Sequence, residues 1–413
     1  MKRKILLHCS IQKHFMQKII LGACCAITSS LMLHAQTDLI NKINKNQTVQ
    51  TNNNFHFTEI KNLSHTPIEN QGKTGTCWSF STNSFLESEM IREGGKPVHL
   101  SKLYSARCIY LDKSENYLRM EGNVNYGDGG QAHDVVNMLV KYGAIPESVY
   151  SGVTGSDTLP NFGSMQDEIL SHLKAWVQNK YTPANWRDTI TAILDNHLGK
   201  VPATFAYDNK TYTPQSFAKE YVRINPSNYI EVISQTNTPY WQQAMLMVPD
   251  NWAFVTNYYN VPLNDFTKIV DESLNKGYTV EWDTDCSEPY FSWLNSVAIV
   301  PQGADTLQYK NLNKGIIASW FSGPQEEMKV TPENRQQAYD DKHTDDDHLM
   351  HIIGLAKDQN GKEYYIVKNS WGTHNIYKGV MYVSKAFFNY KTVAIMINKN
   401  ALSKEARMKM KVL

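Results

Sequence analysis

Three residue types that together can activate sulfur occur in this chain in settings that suit the chemistry. Cys77 stands in PIENQGKTGTCWSF (residues 67–80), after the flexible pair Gly75-Thr76 and before Trp78, where a helix begins. A thiol at a helix N-terminus meets unsatisfied amide groups and the positive end of the helix dipole, and both favour thiolate. A base is offered late in the chain by DDDHLMHIIGLAKD, which holds His348 and His351. KNSWG places Asn369 on a strand-to-turn segment beside Trp371 and Gly372. Cysteine with His and Asn elsewhere in a chain is the pattern of a nucleophile activated by an imidazole that a third group orients. The plain alternative is a core cysteine that happens to start a helix. A metal pair at His348 and His351 would need a helix, whereas the β-branched residues that follow favour a strand.

The elements that must position these residues are legible in outline. From Cys77 to Arg92, Trp78, Phe85, Leu86 and Met90 cluster on one side, Glu87, Glu89 and Arg92 are polar, and Gly94-Gly95 stops the run. Thr74 or Thr76 is placed to cap that helix. A second helix is expected over Ala132 to Tyr142, between Gly129-Gly130 and Gly143, and two more between residues 160 and 200. Strand-like alternation dominates later, in EYYIVKNSW and GVMYVS. Helices first and strands last argue for an α+β fold with two unlike halves. Trp78 should anchor the first helix in the core and leave Cys77 exposed at its positive end.

Residues 1–35 hold five Lys and Arg and no acid, then an apolar run from Ile19 to Leu33 and a small-residue site at Ala35. This reads as a secretory signal peptide, too short to span a membrane comfortably, with Met16 as an alternative start. LGAC at Leu21 to Cys24 offers a lipid-anchored alternative, but few apolar residues precede it. Removing 1–35 turns the formal charge from +1 to −4 and leaves Cys77, Cys108 and Cys286. No basic field for nucleic acid or anionic lipid remains, and three cysteines do not make a disulfide scaffold. Residues 36–61 are a polar, flexible lead-in, too short for a folded inhibitory prodomain.

The motifs PIENQGKTGTCWSF, GDGGQAHDVVNMLVKYGAIPE, DHLMHIIGL and VKNSWG, in that order, resemble the papain-like cysteine peptidases, in particular the bleomycin hydrolase and aminopeptidase C branch. The resemblance implies a papain-like two-lobed fold over residues 62–402, a large insertion at roughly 152–300, and a tail at 403–413. It implies hydrolysis of peptide bonds without a cofactor, peptide or protein substrates, aminopeptidase action, and a homo-oligomer, hexameric in known relatives. An endopeptidase with an open cleft, or an inactive peptide-binding protein on the same fold, is the alternative.

Carried over by motif, Cys77 matches the nucleophile and Gln71 the glutamine whose amide joins the Cys77 backbone N–H in the oxyanion hole. Asn369 matches the residue that orients the imidazole, and Trp371 the indole that shields their hydrogen bond at the substrate cleft. Gly129 and Gly130 match the glycine pair along which an extended substrate lies. His348 is chosen over His351 because the family's histidine opens a strand with a glycine six residues on, as Gly354 is here. Strand alternation puts His348 and His351 on opposite faces, so one of them can face Cys77. The acidic run Asp345-Asp346-Asp347 would hold the imidazole protonated. Two features depart from the family: Thr74 replaces a disulfide cysteine of papain-type enzymes, and the tail SKEARMKMKVL is basic and short for one that caps the cleft with its terminal carboxylate. Export itself also departs from the cytosolic members.

Overall fold

The structure, a computed structural model, describes residues 53–155, 157–303 and 314–412. The expected signal peptide and most of the lead-in lie outside them. The first half is helical: α1 (Cys77–Arg92), α2 (Lys102–Arg119), α3 (Ala132–Tyr142), α4 (Gly163–Gln178) and α5 (Trp186–Leu198). The helix expected from Cys77 to Arg92, the one from Ala132 to Tyr142 and the pair between 160 and 200 are all present. The start of α3 is fixed by Asp134, whose carboxylate accepts from the Gln131 amide at 3.0 Å, and Gly143 ends it at φ 82°.

Eleven strands among the described residues form one sheet. They are β1 (Phe57–Asn62), β2 (Tyr229–Ile233), β3 (Gln242–Ala244), β4 (Tyr258–Asn260), β5 (Val280–Thr284), β6 (Phe291–Ser292), β7 (Val297–Ala298), β8 (His348–Asp358), β9 (Glu363–Lys368), β10 (Val380–Ser384) and β11 (Thr392–Asn398). The order is β3-β4-β2-β11-β5-β8-β9-β10-β7-β6, with β1 paired antiparallel to β8. β1 occupies residues read as the end of the lead-in. It lies so close to β8 that a Cβ on Gly354 would come within 2.1 Å of the Lys61 carbonyl oxygen, which explains the glycine. β5 falls inside the stretch read as an insertion, yet it is the strand between β11 and β8.

Two cores follow. One gathers α1 to α5 around Trp78, Phe85, Phe162 and Leu194. The other fills the sheet around Trp282, Tyr365, Phe387 and Phe388. The protein is therefore α+β with two lobes, and α1 packs along β8 at their junction. That position buries polar residues of α1 along with its apolar ones. Glu87 and Glu89 do not face solvent: both are buried, Glu87 pairing with Lys102 at 2.7 Å and Glu89 with Arg92 at 3.0 Å. Asn398 also donates to Glu89, at 2.6 Å. A buried carboxylate persists only with such partners. No helix among the described residues is long and apolar enough to cross a membrane.

Among the described residues, which end at Val412, the tail does not enter the space between the lobes. Its helix, Lys404–Met410, sits beside the helix Leu263–Asn275, with Glu405 3.9 Å from Lys268 and the Lys409 ammonium 4.8 Å over the Trp241 ring. Met410 and Val412 are buried in the sheet core.

Candidate active site

The expected site residues are carried by four segments: Gln71 and Cys77 before and at the start of α1, Gly129 and Gly130 before α3, His348 at the start of β8, and Asn369 and Trp371 after β9. Cys77 is the first residue of α1. Thr76 takes the N-cap position, but its hydroxyl bonds the Thr74 hydroxyl at 2.6 Å rather than a helix amide. The turn before Cys77 is instead clamped by Asp128, whose carboxylate accepts from the Gly75 amide at 2.9 Å and whose carbonyl accepts from the Trp78 indole at 2.7 Å. Asp128 was missed in the sequence reading, although it sits inside the quoted GDGG.

Cys77 is buried rather than exposed, with 1% of its surface accessible. Its sulfur accepts from the backbone N–H of Leu349, the residue after His348. Burial pushes the thiol well above its ordinary range; the Leu349 amide opposes this, while Asp250, Asp346 and Asp283 add to it. Burial and these carboxyls thus work against the thiolate that the helix terminus and the Leu349 amide favour.

His348 opens β8, as expected, and its Nε2 lies 2.8 Å from Asn369 Oδ1. That oxygen also accepts from the Ser370 amide at 2.6 Å, which fixes it as the carbonyl side of the amide. Nε2 must then carry the proton, leaving Nδ1 as the basic nitrogen. Trp371 stacks on the imidazole, with ring centroids 4.5 Å apart, and covers this bond. Burial lowers the imidazole pKa to about 4 against the opposing Asn369 hydrogen bond. The acidic run thus does not hold His348 protonated. Asp346 and Asp347 are themselves pushed well above the carboxylate range, first by burial and then by Asp283 and Asp285, so they bring little charge to bear.

His351 belongs to other company. Its Nδ1 is 2.9 Å from the Ser84 hydroxyl and its ring meets Phe85 edge-on. Alternation along β8 explains the division: Leu349 joins the helical core, Met350 and Ile352 the sheet core.

Gln71 is buried between the two motifs that flank it. Its Nε2 donates to the Thr74 carbonyl at 2.8 Å, and its Oε1 accepts from the Ser370 hydroxyl at 2.6 Å. Gly130 lies against the Trp78 indole, where a Cβ would be 3.0 Å from the ring. Gly129 meets Asp250, a residue the sequence reading did not single out: a Cβ there would fall 1.8 Å from its carboxylate oxygen.

The Peptidase C1-like family matches residues 115–412, a span that holds His348 and Asn369 but begins after Cys77. The chain is 22% identical over 402 residues to aminopeptidase C of Streptococcus thermophilus, covering 86% of this chain and 85% of that one. It is 24% identical over 380 residues to aminopeptidase C of Listeria monocytogenes, with coverages of 82% and 81%. Its fold is similar to that of PepW from Lactobacillus rhamnosis, with a TM-score of 0.65 at 21% identity over 97% of this chain and 94% of that one. The chain belongs to the Peptidase C1-like family and is a cysteine-type peptidase.

Proposed function

We propose that the protein is an exported aminopeptidase in which Cys77 is the nucleophile, His348 its acid and base, Asn369 the group that orients His348, and Gln71 an oxyanion donor. The observation that carries this reading is the tautomer of His348. Its Nε2–H is committed to Asn369 Oδ1, so the basic Nδ1 is left for the thiol that the neighbouring Leu349 amide holds.

In the first half-reaction the thiol proton passes to Nδ1 as sulfur bonds to the carbonyl carbon and the π electrons move to oxygen. The Cys77 amide and the second N–H of Gln71 Nε2 receive that oxyanion; the first N–H is held by Thr74. Collapse breaks the C–N bond, and the departing amine takes the proton from Nδ1. Water then attacks the thioester, again giving its proton to Nδ1, and sulfur leaves with that proton. Starting from thiol and neutral imidazole, the charge pair forms only as the reaction proceeds.

The aminopeptidase assignment draws on the two aminopeptidase C relatives, and export on residues 1–35. Both are tested together. A peptide with a free α-amine should be trimmed one residue at a time under reducing conditions, while its N-acetylated twin is spared; equal cleavage of both at internal bonds would establish an endopeptidase instead. N-terminal sequencing of the protein recovered from its native cells should begin near Gln36, and an intact start would refute export.

Gln71→Ala should lower kcat by about 10²- to 10³-fold with a much smaller change in KM, because the lost donor acts on charge that exists only in the transition state. Steady-state kinetics on the free-amine peptide reads this directly. An equal rise in KM would place Gln71 in ground-state binding.

A further inference from the structure

Beside the thiol, carboxylates converge from four elements. Asp128 and Asp134 flank the glycine pair, Asp283 comes from β5, Asp346 precedes β8, and Asp250 is carried by the segment 246–255. Asp250, Asp346 and Asp283 all act on Cys77, and all three disfavour a negative sulfur. Lys113 is the cation among them, yet it gives its N–H groups to the carbonyl oxygens of Gly127 and Gly129 rather than to a carboxylate. His133 is committed to Glu231 at 3.0 Å.

Three of the five acids have fixed duties. Asp128 holds Gly75 and Tyr110, Asp134 accepts from the Gln131 amide and the Trp252 indole, and Asp346 accepts from Gln131 Nε2 at 2.9 Å. Asp283 is buried, and neither of its oxygens makes a hydrogen bond of normal geometry among the described residues. Asp250 is partly exposed on the rim. Its Oδ1 accepts from Asn125 Nδ2 at 3.0 Å, and its carboxylate fills the place where a Gly129 side chain would be.

The segment that carries Asp250 is built as a strap. Asn251 closes it on itself through Leu246 O at 2.9 Å and Val255 O at 3.0 Å. Trp252 ties it to the helical lobe, donating to Asp134 and accepting from Asn116. Met247 ties it to the helix Pro332–Asp340 through the Tyr339 hydroxyl. It therefore bridges both lobes across the rim marked by Gly129.

We propose that Asp250 receives the α-ammonium of the substrate's first residue, so that this internal strap, rather than the C-terminal tail, makes the cleft select peptides by their free N-terminus. This rests on the peptidase reading of Cys77 and His348. Among these acids Lys113 is the one buried lysine and its N–H groups are taken by carbonyl oxygens, so an incoming ammonium can still make a charge-assisted hydrogen bond, and Asp250 is the acid within reach from the rim. The same contact removes a negative influence from the Cys77 sulfur, so the selected substrate also eases proton loss from its nucleophile. The effect should appear in kcat as well as KM.

The experiment compares kcat/KM for a free-amine peptide and its N-acetylated twin in wild type, Asp250→Asn, Asp250→Ser, Asp250→Glu, and wild type extended by Gly-Ser-Gly at the C-terminus. Melting curves confirm that each variant is folded. The preference for the free amine should fall by about 10²-fold in Asp250→Asn, the scale of losing one buried charged partner, with a similar fall in Asp250→Ser and partial recovery in Asp250→Glu. The extended protein should keep its preference. A folded Asp250→Asn or Asp250→Ser with the wild-type preference, or loss of preference on C-terminal extension, overturns the assignment of Asp250 while leaving the aminopeptidase reading intact. Best cleavage of acetylated peptides carrying an internal Lys would mean that the acids serve a basic side chain and would likewise overturn it. Wild type that does not distinguish the twins at all would refute the aminopeptidase reading and the proposal with it.

Discussion

Cys77→Ala should reduce turnover of a free-amine peptide by about 10⁵-fold or more, because in the proposed mechanism it removes the sulfur that forms the covalent intermediate. Losses on this scale follow removal of a nucleophile that works as a unit with its base, and what remains comes from binding and the oxyanion donors. The fold should survive the change. Cys77 buries little more than a methyl-sized side chain at the start of α1, and its environment is otherwise held by Asp128, Gln71 and Trp78. Cys108→Ala is the matched control: that thiol is buried in the helical core beside Tyr104, away from His348. It should cost stability through the cavity it leaves, yet keep turnover within a few-fold of wild type. Retained turnover in a folded Cys77→Ala protein would remove Cys77 from the chemistry. The pH dependence gives a second reading. Because burial holds the Cys77 thiol well above its ordinary range, alkylation of the resting protein should be slow at neutral pH and rise steadily into the alkaline range.

What the sequence disclosed about this site, and what it hid, divides along one physical line. Features set by neighbours in the chain were legible, such as α1 and α3 bounded by glycines and the alternation that separates His348 from His351, while the resemblance placed His348 at the start of β8. Features set by distant partners were not. Glu87 and Glu89 look like the wet side of a helix until Lys102 and Asn398 arrive to pair with them. VEWDT alternates like a strand with one face in water, yet β5 is buried throughout. Cys77 sits where a dipole should expose and ionise it, but the resemblance carried no information about segment 246–255 or about the carboxylates that converge on the sulfur. Asp250 has no motif around it. Its role is visible only through Gly129, where the absence of a side chain admits it.

The two histidines of β8 should part company when each is replaced. His348→Ala should lower turnover by about 10⁴-fold or more, since neither proton transfer nor the Asn369 bond survives it. His351→Gln should stay within a few-fold of wild type, because a glutamine can keep a hydrogen bond to Ser84 and the ring takes no part at the thiol. Its effect should instead be on acid stability. Burial lowers the pKa of His351 well below 6.5, and the Lys368 ammonium lowers it further. Above pH 6.5 the ring is neutral in both folded and unfolded chains and its titration contributes nothing. Below 6.5 the unfolded chain takes up a proton that the folded ring refuses, so stability is lost as the pH falls, at about 1.4 kcal/mol per unit. His348 behaves in the same way down to about pH 4. The buried acids run oppositely, since raised pKa values such as those of Asp283 and Asp346 let the folded chain bind protons first. That contribution is common to wild type and variant, so their difference isolates His351. Urea unfolding at pH 7 and pH 5 should show wild type losing about 2 kcal/mol more than His351→Gln over that interval. The same loss in both would mean that His351 is protonated in the folded protein. Loss of turnover in His351→Gln, with His348→Ala active, would transfer the role of base to His351 and break the link between the strand register and the chemistry.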